Sequence, residues 1–171
     1  MLFRSREAAS LNGLGGVAYY QGKLERSREC HEQALAIQRE LGDSRGTSFS
    51  LRELGEVATA SADAPAAADF LRRSLEMYRV LGDRLGIATA IEGLAALAAL
   101  QGQHERALTL AGAASTLRES IQAPIAGPDL ERLERYVAPA RAALGVGAAA
   151  AHSQGGSLSV EEAVGMALGG L

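Results

Sequence analysis

The chain has 171 residues, of which 47% are hydrophobic and only 4% are aromatic, with no tryptophan. That length suffices for one domain with a real core, which must be built mainly from Ala, Leu, Val and Ile. The formal net charge of −3 at pH 7 argues against the basic stripe that neutralises phosphate, so we expect no direct binding of nucleic acid.

A six-residue pattern occurs twice, as LGDSRG at residues 41–46 and as LGDRLG at residues 81–86. The glycine in its second place suits the left-handed end of a helix, and the aspartate in its third place can cap the helix that follows. Repetition at a fixed interval predicts that the residues between the two copies form one duplicated structural unit.

Apolar and small residues line up in columns at a period of 40. On the first helix of each copy they form one face, with a Gly or Ala in its middle that lets a second helix approach closely. The columns are Leu11, Leu51 and Ile91; Leu14, Leu54 and Leu94; Gly15, Gly55 and Ala95; Val17, Val57 and Leu97; and Ala18, Ala58 and Ala98. We therefore predict an all-α domain over residues 1–124. Its three helix–turn–helix repeats are 7–41, 47–81 and 87–121.

The pattern changes after the third repeat. An additional packing helix is predicted over residues 125–145, because Leu130, Leu133 and Val137 continue at helical spacing. The fold class is therefore all-α, with three repeats followed by C-terminal helices.

The last part of the chain divides into two short segments. Residues 146–158 are rich in Ala, Gly and Ser, and we predict a flexible linker there. Residues 159–169 are predicted to form a short C-terminal helix, because Ser159 and Glu162 have the spacing of a capping box.

The repeat columns resemble the tetratricopeptide repeat (TPR). That family places a large residue, then Leu-Gly, then a small or aromatic residue on the first helix, with small residues on the second. The matching residues are Leu11, Leu14, Gly15 and Ala18; Leu51, Leu54, Gly55, Ala58 and Ala67; and Ile91, Leu94, Ala98, Ala107 and Ala114. A period of 40 exceeds the usual value of about 34 and implies longer helices. The resemblance implies a right-handed α-solenoid that binds proteins.

A second resemblance covers roughly residues 105–168. The residues that carry it are Leu110-Ala111-Gly112-Ala113-Ala114, Leu117-Arg118-Glu119, Ala123-Pro124, Ala142-Ala143-Leu144-Gly145 and the run 156–164. They look like the C-terminal end of bacterial signalling ATPases of the LuxR-type and STAND groups, in which an NTPase core precedes TPRs. The resemblance implies a sensory or regulatory region of a transcriptional or signalling regulator. The NTPase core and the DNA-binding module of those proteins are not in this sequence, so their activities are not carried over.

No residue pattern indicates catalysis. The run Gly13-Leu14-Gly15-Gly16 lacks the preceding strand and the Gly-Lys-Ser/Thr of a phosphate-binding loop. Cys30 and His31 are adjacent, so on a helix they point about 100° apart and do not readily chelate one ion. We interpret His31 as a half-buried packing residue. We expect a non-enzymatic chain that takes no cofactor and no metal.

Compartment and membrane contact follow from simple counts. One cysteine cannot form an internal disulfide, which favours a reducing compartment. No apolar run approaches the ~18–20 residues of a membrane span, and the first residues lack the order of a signal peptide. We therefore expect a cytoplasmic protein that does not contact the membrane.

The remaining candidate site is the face of each first helix that lines the inner groove implied by the resemblance. The predicted protein-binding residues are Asn12, Tyr19, Arg52, Glu56, Thr59 and Glu92. Their mixed charge suits a helix or an extended peptide that carries both signs. A merely solvated polar face is the alternative reading of the same residues.

Two functions remain open from the sequence. The first is a non-catalytic protein–protein interaction module that binds a peptide or protein on its concave face. The alternative is a homo-oligomerisation element, because the first repeat begins at Met1 without the polar cap that ends of repeat arrays normally need. The partner is accordingly a protein or peptide, with a homodimer or a longer polypeptide with an NTPase domain as the two possible settings.

Overall fold

The computed structural model describes residues 2–125 and 127–169, and within these residues the chain contains helices and turns but no strand. The helices are α1 (Leu2–Tyr20), α2 (Leu24–Glu40), α3 (Ser44–Ala60), α4 (Ala64–Leu81), α5 (Arg84–Leu100), α6 (His104–Ser120), α7 (Gly127–Leu144), α8 (Ala148–Gly156) and α9 (Val160–Gly169). A 3₁₀ turn at Gly145–Gly147 joins α7 to α8. The predicted all-α class, built from helix–turn–helix repeats, is confirmed.

Each of the first six helices is followed, one or two residues after its end, by a residue with a positive φ. These residues are Gly22 (74°), Gly42 (67°), Ala62 (58°), Gly82 (64°), Gly102 (75°) and Gln122 (55°), so one occurs every twenty residues. The amide of the next residue typically bonds back to a carbonyl five residues earlier, as in Asp43 N to Gln38 O at 2.9 Å. This bond closes the end of a helix. The backbone conformation therefore repeats every 20 residues, which is half the 40-residue period of the sequence.

Aspartate side chains begin α3 and α5 as the duplicated pattern predicts. The Asp43 carboxylate accepts from the amide of Gly46, and the Asp83 carboxylate accepts from the amide of Gly86, both at 2.9 Å. Each bond satisfies an amide that the first helical turn leaves without a backbone partner. Gly42 and Gly82, which precede them, have the expected left-handed conformation.

Backbone contacts divide the chain into two compact units, residues 1–81 and residues 82–171. The sequence predicted one repeat domain over residues 1–124.

In the first unit α1 pairs with α2, α3 pairs with α4, and α2 packs on α3. Its apolar clusters are Ala8, Ala34 and Ile37 with Leu11 and Leu41, and Leu35, Leu51 and Leu54 with Phe70 and Met77. Gly55 lies against Leu71, whose Cγ would be 2.5 Å from an added methyl group. The central glycine therefore allows the close helix contact that its column predicted.

The second unit is built around the pair of α5 and α6. Helix α7 packs against both, and Ala98, Ala107 and Ala140 form the cluster that joins the three helices. Helix α9 contacts α5 and α6 as well. Arg106 holds the end of α9, because its guanidinium donates to the carbonyls of Met166 and Ala167 at 3.1 Å each.

The structure differs from the sequence prediction at residues 146–158. The expected flexible linker is absent from this segment, which forms the 3₁₀ turn and α8 and packs along α6. The buried residues of α8 are Ala148, Ala151 and Gly155, which lie on one helical face. Their small side chains let the backbones of α8 and α6 come close together, so a composition typical of a linker here serves tight helix packing.

The segments on either side of α8 are helical. Helix α7 lies within residues 125–145, and α9 lies within residues 159–169. A capping box opens α9: the Ser159 hydroxyl accepts from the Glu162 amide at 3.3 Å, and the Glu162 carboxylate accepts from the Ser159 amide at 2.8 Å. Hydrogen bonds from the Ser159 side chain and backbone hold the pKa of Glu162 below its ordinary value.

Candidate functional site

Asn12 lies in a polar cluster between α1, α2 and α3. Its side-chain oxygen accepts from His31 Nδ1 at 2.9 Å and from the Ser50 hydroxyl at 3.0 Å. The Gln38 amide completes the cluster: with its oxygen toward Asn12 Nδ2 at 3.0 Å, its nitrogen donates to the Ser50 hydroxyl at 2.7 Å. Hydrogen bonds are strong where the local dielectric is low. Asn12 therefore links the first helix to the next two, a use that the sequence did not indicate.

His31 is completely buried, with 0% of its surface exposed, and not half-buried as interpreted from the sequence. Its Nε2 lies 3.9 Å from the Glu53 carboxylate, and an added methyl group on Gly15 would be 2.5 Å from that nitrogen. Burial lowers the pKa of His31, the Glu53 charge partly opposes this, and the Arg52 charge adds to it. Burial therefore favours the neutral ring, whose Nδ1 faces the Asn12 side-chain oxygen.

Arg52 and Glu56 form a buried ion pair on α3. The Arg52 guanidinium donates to the carboxylates of Glu56 and of Glu53, and all three side chains are buried. Burial alone would lower the pKa of Arg52, but the Glu56 and Glu53 charges outweigh it and hold that pKa above its ordinary value. The guanidinium also lies 5.0 Å from the centre of the Phe49 ring, a cation–π distance.

Tyr19 and Thr59 are buried too. The Tyr19 ring meets the Tyr20 ring edge-to-face, with centroids 5.6 Å apart. The Thr59 hydroxyl donates to the Gly55 carbonyl one turn earlier at 2.9 Å. Both predicted binding residues thus make contacts within or next to their own helix.

Glu92 belongs to the second unit, where it pairs with Arg118 of α6. Two guanidinium nitrogens of Arg118 donate to the two carboxylate oxygens of Glu92, one of them at 3.0 Å. A further bond of 3.1 Å runs from Arg118 to the carbonyl of Ala123 in the turn after α6. Both charged side chains are buried, so this fork-shaped pair joins α5, α6 and the following turn.

The predicted binding residues therefore do not form one exposed charged face. The exposed fractions are 8% for Tyr19, 7% for Arg52, 7% for Glu56, 4% for Thr59 and 8% for Glu92. Only Asn12 is half-buried, and its carbonyl oxygen is engaged by His31 and Ser50. The charged side chains that the sequence predicted to bind a partner form ion pairs with other residues of the chain. The four-residue spacing of Arg52 and Glu56 was a signal for this, since it places the two side chains side by side.

An apolar surface lies on α1, in the first repeat, for which the sequence predicted no polar cap. It consists of Phe3, Leu14, Val17 and Tyr20, here called the α1 surface, with exposed fractions of 88%, 56%, 55% and 53%. Leu14 and Val17 belong to the predicted packing columns, whose members in the second and third repeats are buried. The sequence from residue 8 to residue 22 contains no charged side chain. Leu14, Val17 and Tyr20 lie within this stretch, whereas Phe3 lies before it, beyond the exposed Arg6 and Glu7. Exposed apolar side chains on neighbouring turns of a helix are typical of an interaction surface.

A cleft in the second unit has a volume of about 570 Å³ and opens beside the start of α6. Its polar lining includes His104 and Arg106, and the latter is bound to the end of α9. Among the residues that the structure describes, no three His, Cys, Asp or Glu side chains come together in a way that would hold a metal ion. The cleft thus has no arrangement to which we assign chemistry.

Residues 6–79, which lie within the first unit, are similar to the family model described as the tetratricopeptide repeat. Such repeats are generally protein–protein interaction modules without catalytic activity. A search of curated proteins found no match to the chain. Within the described ranges, no helix has both the length and the apolar character required to cross a membrane.

Proposed function

We propose that this chain is a non-catalytic protein–protein interaction module that serves as the sensory or regulatory repeat region of a bacterial transcriptional or signalling regulator. The observation that carries the proposal is the α1 surface on a unit of tetratricopeptide repeats. Such repeats present the sides of their helices to partners, and here one side is apolar and uncovered.

The energetics support a partner on this surface. Burying one Leu or Val side chain that is otherwise exposed contributes roughly 1.5–3 kcal/mol. Leu14 and Val17 are both more than half exposed. A protein that covers these two side chains together with Phe3 and Tyr20 gains affinity from all four.

The regulatory role rests on the second resemblance, which covers roughly residues 105–168. In the ATPase family that this part resembles, the corresponding region follows the NTPase core and the repeats. Here it contains α7 and α9, which pack on α5 and α6, and α8, which packs on α6. A compact terminal segment of this kind suits a regulatory region that is joined to other modules.

We propose that the partner binds the α1 surface and not the residues predicted for the concave face. Arg52, Glu56 and Glu92 are each less than a tenth exposed and are bound to other residues of the chain. A partner would have to break those ion pairs before it could use their charges, which is unfavourable in a buried site. The α1 surface requires no such rearrangement.

The proposal is tested with a photo-crosslinking amino acid at Val17 in the native cells. Val146 in the 3₁₀ turn is the matched control, since it is a fully exposed valine in the other unit. We expect a recurrent protein adduct at position 17 that is missing at position 146 and is lost with Leu14→Glu. Identical adducts at both positions, or none at position 17, would overturn the proposal.

A further inference from the structure

We propose that His31, Glu53 and Arg52 form a pH-sensitive contact between the first two helix pairs, in which the protonated His31 ring binds Glu53 and the neutral ring does not. His31 lies on α2, and the two charged residues lie on α3. The contact is inside the first unit, so it does not depend on which partner the α1 surface binds.

Both ring nitrogens of His31 face oxygen atoms. Nδ1 lies 2.9 Å from the side-chain oxygen of Asn12, an oxygen that also accepts from the Ser50 hydroxyl at 3.0 Å. Nε2 lies 3.9 Å from Oε2 of Glu53 and has no hydrogen-bond partner within the described residues. A neutral imidazole has one N–H and can donate to only one of these two oxygens, whereas the protonated ring can donate to both. The surroundings therefore match the hydrogen-bonding pattern of the protonated ring.

The Glu53 carboxylate is placed to bridge His31 and Arg52. Its Oε1 accepts from the Arg52 guanidinium, and its Oε2 is the oxygen that faces His31. Shortening the distance from Nε2 to Oε2 by about 1 Å would give an ordinary charge-assisted hydrogen bond. This new bond would join α2 to α3 without breaking the bond to Arg52.

The buried charges around the ring are not balanced when His31 is neutral. Arg52 carries one positive charge, Glu53 and Glu56 carry one negative charge each, and all three residues are at most 9% exposed. A proton on His31 makes the cluster neutral, which is favourable because an unbalanced charge is costly away from water. Burial lowers the pKa of His31, and the Glu53 charge partly opposes this. The folded chain therefore takes up the proton below the ordinary pKa of about 6.5.

The second repeat shows that packing does not require an ionisable group at this place. His31 corresponds to Leu71 forty residues along, and both are 0% exposed. Leu71 packs against Gly55 as His31 packs against Gly15. Glu53 likewise stands where the other two repeats have glycine. The histidine and the glutamate thus add a titratable pair to a helix contact that an apolar side chain can fill.

The other titratable groups around the ring come from three helices. Helix α1 faces the ring with the Asn12 amide, and the charged side chains of α1 are all within its first six residues. Helix α4 contributes Tyr78, which acts on the pKa of Arg52. On α2 itself the neighbours in sequence are the buried Cys30 and the exposed Glu32. The charges that act on the ring come from α3.

The test follows the His31 ring and the side-chain carboxyl groups by NMR in the full 171-residue chain, from about pH 8 to about pH 4.5. We expect the ring to titrate reversibly in the folded chain, and the Glu53 carboxyl resonance to shift with the same midpoint. Glu53→Gln should weaken proton binding by His31 on the order of tenfold, because it removes the facing charge. The control Glu32→Gln changes an exposed carboxyl group on the same helix and should weaken it by less than about twofold.

Two results of this titration would overturn the proposal. One is a ring that stays neutral until the chain unfolds, and the other is equal weakening by Glu53→Gln and Glu32→Gln. His31→Leu gives a second check, because leucine has this place in the second repeat. The variant should keep its helix content by circular dichroism and lose the shift of the Glu53 resonance. A shift that persists would show that Glu53 responds to another group, which also overturns the proposal.

Discussion

Gly112 of α6 and Gly155 of α8 each leave room for the backbone of the other helix. A methyl group on Gly112 would overlap the carbonyl oxygen of His152, and one on Gly155 would overlap the carbonyl oxygen of Thr109. The two helices therefore cross so closely that both positions require glycine, which has no side chain beyond a hydrogen atom. This reciprocal fit explains why a segment rich in Ala, Gly and Ser is an ordered helix.

The first prediction concerns Gly155→Ala. The added methyl group must push α8 away from α6, so the free energy of unfolding should fall by about 1–3 kcal/mol. Gly165→Ala in α9 is the control, because a methyl group there meets no atom within 4 Å. It should raise stability by up to about 1 kcal/mol, through helix propensity. Urea unfolding measures both, and equal stabilities for the two variants would contradict the α6–α8 contact.

The second prediction concerns pH. The folded chain holds the pKa of His31 below its ordinary value, which is about 6.5. As the pH falls below that value, the unfolded chain binds a proton that the buried ring does not accept, so the free energy of unfolding decreases. His31→Gln should make stability fall less steeply between pH 7 and pH 5, by up to about 1.4 kcal/mol per pH unit.

The control for the pH experiment is His152→Gln, because His152 is exposed on α8. A His31→Gln profile with an unchanged slope would show that the imidazole takes up a proton in the folded chain as readily as in the unfolded one.

The third prediction concerns the buried pair of Glu92 and Arg118. Glu92→Leu leaves the guanidinium buried without a counter-charge and should reduce the free energy of unfolding by about 3–5 kcal/mol. Adding Arg118→Met should recover most of the loss, since an apolar pair of similar volume requires no compensation. Calorimetry or urea unfolding provides the values.

An exposed ion pair in the same unit is the reference. Arg141 and Glu134 are joined by two bonds of 3.0 Å, with side-chain exposures of 48% and 38%. Arg141→Gln should change stability by about 0–1 kcal/mol, because solvent screens such pairs. A similar loss for Arg141→Gln and Glu92→Leu would show that burial does not distinguish the two pairs.

The fourth prediction concerns the caps of the repeats. Asp43→Ala removes the acceptor for the Gly46 amide and should reduce stability by about 0.5–2 kcal/mol. Asp69→Ala removes an aspartate from an exposed pair on α4 and should change it by less than about 0.5 kcal/mol. Thermal melting of both variants decides whether the duplicated aspartate is a cap or a replaceable surface charge.

The repeats could be predicted because their contacts are local and are copied. Leu54 and Leu94 are buried alike, as expected when the same column serves the same helix contact. The roles of Gly42 and Asp43 follow from their residue types: Gly tolerates a positive φ, and the Asp carboxylate accepts hydrogen bonds from backbone amides. Such features can be read from single positions.

The candidate site could not be predicted in the same way, because burial depends on what lies opposite. Leu14 has the same place in the repeat as Leu54, yet one is exposed and the other is buried. Arg52 was predicted to bind a partner because a charged side chain at a groove position usually faces solvent. Its ion pair with Glu56 can be recognised only when the four-residue spacing of the two side chains is considered. Helix α8 is stabilised by a complementary surface on α6, and the composition of residues 146–158 alone does not indicate that surface.

The reversal of the backbone every twenty residues restricts how the length of this chain can change. A single residue inserted within α3 would rotate every later side chain of that helix by about 100°. Leu54 and Val57 would then leave the core and charged neighbours would enter it. Forty residues inserted at a turn would restore every register, so a whole helix pair is the smallest insertion or deletion that the repeats can absorb without refitting their contacts.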